Sequence, residues 1–78
     1  MDEPANNGAK KMKSILGKLK AMRLMANLSQ ADLGREIGTS HVTVGRIENG
    51  KHDTGIQTLV RWCEACGYEV EFKARAGR

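Results

Sequence analysis

The sequence predicts a mainly α fold: four short helices followed by one C-terminal β-strand, all in one small domain. Three observations predict it. Apolar residues recur at helical spacing in four separate stretches, most of them bounded by a capping residue, a glycine or an asparagine. Only residues 68–75 switch to a period of two, the mark of a strand. The chain has 78 residues, 40% of them apolar, which allows one folded core and no second. A domain this small is marginal alone, so a partner subunit would support it.

Residues 1–11 contain Pro4, Asn6, Asn7 and Gly8 and read as a disordered arm. Lys10, Lys11, Lys13, Lys18 and Lys20 make a basic stretch, a solvated face that could also graze phosphates. The first helix is expected over roughly residues 12–26, where Ile15, Leu19, Met22 and Ala26 fall on one stripe. Gly17 weakens it by about 1 kcal/mol. Asn27 suits the left-handed position just past its end. The second helix follows Ser29, which pairs with Asp32 as a capping box. Leu33 and Ile37 point inwards one turn apart. Gly34 faces the next helix where a side chain would hold the two apart, and Gly38 can take positive φ at the corner.

A third helix over 40–49 is expected from the cap Ser40, with Val44 and Ile47 inside and His41, Val42, Thr43 and Arg46 on other sides. Two valines and Gly45 make it a poor helix in isolation, so packing must hold it. Asn49 to Asp53 is a loop. Thr54 and Gln57 read as a capping box for a fourth helix over about 55–66, with Ile56, Leu59, Val60, Cys63 and Cys66 buried and Gly67 closing it. Trp62 is expected at the edge of the core or at a dimer contact. In the tail, Tyr68, Val70 and Phe72 alternate with Glu69, Glu71 and Lys73. A lone strand leaves its backbone groups unpaired. It is expected to pair with the same strand of a second copy, or else to extend a partner's sheet.

Composition narrows the function. The formal charge of +4 leans towards a polyanion partner without requiring one. No apolar run is long enough for a membrane span or a signal peptide, so a cytoplasmic protein is expected. Cys63 and Cys66 supply two ligands where a structural zinc site needs four. They read as small core residues, and no metal or cofactor is expected. No nucleophile stands with a base and no glycine loop cradles a phosphate, so no catalysis is expected.

Three runs then carry a family resemblance: Leu28 to Leu33, Ile37 to Ser40, and Ile47 to Lys51. Together they resemble the helix-turn-helix of the Cro and lambda-repressor type, the Xre family, over about residues 15–67. The resemblance implies a lambda-repressor-like bundle with a DNA-binding domain over 12–67 and a dimerisation strand over 68–75. It also implies that Arg23 and Glu48 pair, tying the first helix to the end of the third. Many family members have a fifth helix, and this chain has the strand instead. That ending is similar to HipB-like antitoxins, which dimerise partly through C-terminal strands, repress their own operon and bind a toxin.

By this resemblance the third helix enters the major groove of double-stranded DNA. Ser40, His41, Val42 and Arg46 would reach base edges, and Gln30, Thr43, Asn49 and Lys51 would contact phosphates. Arg46 is the first choice for direct readout, since its fork can bond guanine O6 and N7 together. Tyr68, Val70 and Phe72 would make the homodimer. The expected function is a repressor bound to an inverted repeat. The alternatives are an antitoxin that also binds a toxin protein, and a protein-interaction module that no longer binds DNA. Against the last, no Asp or Glu lies between Ser40 and Ile47.

Overall fold

A computed structural model describes residues 4–76. Four helices appear in order: α1 Pro4–Met25, α2 Gln30–Ile37, α3 His41–Glu48 and α4 Ile56–Ala65. Helix α2 lies at the centre and packs on both α3 and α4, while α1 closes the other side of the same two helices. The core is Leu19, Leu33, Ile37, Val44, Ile47, Trp62 and Cys63, with Leu16, Met22, Leu28, Leu59, Ala65 and Cys66 packed around it.

The corner between α2 and α3 forms as its residues dictate. Ser29 caps α2 by accepting the Asp32 backbone N–H at 2.9 Å, and the Asp32 carboxylate accepts the Ser29 N–H at 3.0 Å. Gly38 ends α2 at φ 80°. A Cβ on Gly34 would stand 2.6 Å from the Thr39 carbonyl oxygen, a backbone atom that cannot swing away. Only glycine lets the corner approach α2 this closely. Ser40 caps α3, accepting the Thr43 N–H at 3.2 Å. Asn27 takes the left-handed conformation past α1, at φ 60°.

Elsewhere the structure departs from the sequence reading. Helix α1 starts at Pro4, not near residue 12. Proline suits the first helical position, and each residue added to a helix already nucleated gains a hydrogen bond. Of the arm expected over 1–11, residues 1–3 lie outside the described residues. The inner face of α1 differs from the expected stripe at one end. Leu19 and Met22 pack as expected, Leu16 and Arg23 join them, and Ile15 is 41% exposed. Periodicity alone does not count a buried arginine as part of an inner face.

Helix α4 begins at Ile56 and ends at Ala65, one residue inside the expected limits at each end. Its N-cap is Gly55, with no side-chain cap bond, so the Thr54–Gln57 box does not form. The Thr54 hydroxyl donates instead to the Gly55 carbonyl at 3.4 Å. The buried face carries Leu59, Trp62, Cys63 and Cys66, and Ile56 is 66% exposed. Trp62 is a core residue, fully buried, and its indole N–H donates to the Leu19 carbonyl at 3.1 Å. Leu59, Cys63 and Cys66 turn inwards as expected, and the large apolar area of the indole draws Trp62 in beside them while Ile56 stays out.

Among the described residues no strand is present, and Tyr68, Val70 and Phe72 are all exposed, Phe72 by 91%. A ladder needs a second strand, and the described residues offer no other.

Candidate nucleic-acid interface

Helix α3 is held from behind and open in front. Val44 and Ile47 are fully or almost fully buried. Ser40, His41, Val42, Arg46, Asn49 and Lys51 are exposed, and Thr43 is half-buried. Six of the eight residues expected to meet DNA therefore lie on solvent-facing surface at one end or along one side of α3. The side chains of His41 and Arg46 make no hydrogen bond or ion pair to other described residues, so their donors are free for a ligand.

The charge of this face depends on one buried pair. Glu48 is the acidic residue of α3, and its side chain is 2% exposed. Arg23 of α1, 7% exposed, donates from Nε to Glu48 Oε2 at 2.6 Å and from Nη2 to Oε1 at 3.2 Å. The third donor of the fork, Nη1, reaches the Leu28 carbonyl at 2.9 Å. Two planar groups meet with two parallel bonds, the strong form of this interaction. The pair ties α1 to the last turn of α3 and removes the only carboxylate of α3 from the outer face. Losing one partner would leave the other buried and unpaired, at a cost of about 3–5 kcal/mol.

Gln30 is the expected contact that the structure places differently. It is half-buried at the first position of α2, and its Nε2 donates to Glu48 Oε1 at 3.2 Å. Sequence spacing shows no link between residues 18 positions apart, so this bond was not legible beforehand.

A shallow polar groove, unmarked in the sequence apart from Thr43, runs between the corner and the start of α4. Thr39, Thr43, His52, Thr58 and Arg61 line it. Thr58 and Arg61 stand one helical turn apart beside the buried stripe, a spacing that could have flagged them.

Burial pushes the Cys63 and Cys66 thiols up from their ordinary values, which keeps them protonated. That environment disfavours the thiolate that metal binding or thiol exchange needs. No group of three or more His, Cys, Asp or Glu stands close enough to hold a metal among the described residues. No helix is long and apolar enough to cross a membrane among those residues.

Known proteins point the same way as the geometry. A helix-turn-helix family model matches residues 19–73. An uncharacterized HTH-type transcriptional regulator of Methanocaldococcus jannaschii is 35% identical over 54 residues, covering 69% of this chain and 82% of the relative. No solved structure matches.

Proposed function

This chain belongs to the helix-turn-helix family of DNA-binding transcription regulators, and on that premise we propose that it is a cytoplasmic, sequence-specific repressor acting as a homodimer on an inverted repeat. One observation carries the reading. The outer face of α3 offers Ser40, His41, Val42 and Arg46 to solvent, while the acidic residue of that helix is sequestered by Arg23. A major groove takes a helix of this kind, with polar and cationic side chains on base edges. Arg46 reads a guanine. Val42 meets a thymine methyl. Thr43, Asn49, Lys51 and Gln30 contact phosphates and set the register.

Two copies joined through their tails would present two α3 helices. To meet successive major-groove faces these should sit about 34 Å apart. The exposure of Tyr68, Val70 and Phe72 supports the tail as the dimer contact, because exposed apolar residues in a period-two segment have something to gain from pairing. The same exposure supports the second reading, an antitoxin that offers this surface to a toxin protein.

Selection of duplexes from a randomised pool tests the proposal. The enriched sites should contain a two-fold repeat, and binding should fall steeply with salt, by about 0.9 log units per phosphate contact for each decade. Arg46→Ala should weaken binding to the enriched site and relax preference at one base position, a discrimination of about 1–3 kcal/mol. A pool that enriches no sequence, or an Arg46→Ala variant with unchanged affinity and specificity in gel-shift titrations, overturns the corresponding part.

A further inference from the structure

The contact between Gln30 and α3 depends on the one position of that helix without a side chain. A Cβ on Gly45 would lie 3.3 Å from Gln30 Nε2 and 3.5 Å from Gln30 Oε1. The Gln30 amide thus rests on the bare backbone of α3 while its nitrogen bonds Glu48. An ionised carboxylate only accepts, so the amide must turn its nitrogen, and not its oxygen, towards Glu48. That bond is 3.2 Å, already at the long end of the usual range. Moving the amide outwards by a few tenths of an ångström would weaken that bond and free the amide to reorient.

We propose that Gly45 is a positioning residue for DNA binding: the space above its backbone lets the Arg23-anchored Glu48 carboxylate hold the Gln30 amide in one orientation, with its second N–H left to donate to a phosphate. The inference rests on the DNA-binding reading above and adds a cause for the placement of one contact. Three elements meet here. Helix α1 supplies Arg23, α2 supplies Gln30, and α3 supplies Gly45 and Glu48. The arrangement makes α2 and α3 a single preorganised surface, because the outer amide of one is locked to the inner carboxylate of the other. Gly45 is a weak residue for the interior of a helix. Alanine there would gain helix propensity but lose the Gln30–Glu48 bond, two changes of similar size and opposite sign.

That near-balance in stability leaves binding as the readout that tests the role. Gly45→Ala keeps Arg23, Glu48 and every core residue, and the helix propensity it gains offsets much of the lost Gln30–Glu48 bond, so its unfolding midpoint should stay within a few degrees of that of the unaltered protein. Its affinity for a duplex selected by the unaltered protein should nevertheless fall about tenfold, the value of one hydrogen bond to a charged group. The loss should be equal on the selected duplex and on a random one, since a phosphate carries no sequence. The salt slope should stay unchanged, since a neutral amide displaces no counterion. Gln30→Ala should show the same loss, and the double variant should be no weaker than Gln30→Ala alone. Wild-type affinity in Gly45→Ala, or additive losses in the double variant, overturns the positioning role and leaves the DNA-binding reading standing. Failure of the unaltered protein to bind any duplex overturns both.

Discussion

The α2–α3 corner and the segment from Thr54 to the tail were built under different rules. In the corner, every expected cap and turn forms: the Ser29–Asp32 box, the left-handed Gly38, the Ser40 cap and the close approach at Gly34. Around α4 the expected cap fails, Trp62 joins the buried face, and Ile56, Tyr68, Val70 and Phe72 stay exposed. The corner is specified by interactions three to five residues apart, which a sequence displays directly. Helix α4 is placed by what the other three helices leave uncovered. The tail has no strand among the described residues to pair with. Local chemistry governs the part that would read DNA, and packing or assembly governs the part behind it.

The largest expected effect lies at the join between these regimes. Arg23→Ala should destabilise the domain by about 3–5 kcal/mol, because Glu48 would remain buried without its partner. Marginal stability in small domains makes that most of the total. Chemical denaturation should show the shift, and a change below about 1 kcal/mol would mean that solvent reaches the pair freely.

Deleting residues 68–78 should act on association and spare the corner. Sedimentation should show a largely monomeric protein that still unfolds cooperatively. An intact dimer after truncation would place the interface elsewhere and remove the tail from the comparison.

The two caps sharpen it further. Ser40→Ala should cost about 1 kcal/mol, since a helix N–H loses its acceptor. Thr54→Ala should cost less than about 0.5 kcal/mol, because that hydroxyl caps nothing. Equal losses in thermal melts would restore the Thr54 box.

The smallest effect is a pH dependence in the corner. The Ser29 backbone N–H, then its hydroxyl, hold the Asp32 carboxyl below the usual carboxylate range, with Arg35 adding to the shift. A depressed folded-state pKa gives stability that is complete above the unfolded value of about 3.9 and is lost as pH falls through the folded value. The advantage of the unaltered protein over Asp32→Asn in unfolding midpoint should therefore shrink below about pH 4. A difference that stays constant down to the acid limit would show that the box depends on shape and not on charge.

Much of the candidate site was legible because its signals are short. His41, Val42 and Arg46 emerge exposed as their spacing implied, Ser40, Asn49 and Lys51 are exposed where the family resemblance places contacts, and the Arg23–Glu48 pair forms as that resemblance implied. Gln30 was legible as a surface residue but not as a partner of Glu48, and Gly45 looked only like a flaw in a helix. Both facts need three helices in contact before they exist.

By itself the sequence determined the caps of α2 and α3, the corner and the residues at the front of α3, since those follow from backbone groups satisfied within a turn or two. Tertiary structure alone decided that Arg23 and Trp62 join the inner faces of α1 and α4. Burying either polar group requires a partner from another helix, the Glu48 carboxylate for the guanidinium and the Leu19 carbonyl for the indole N–H.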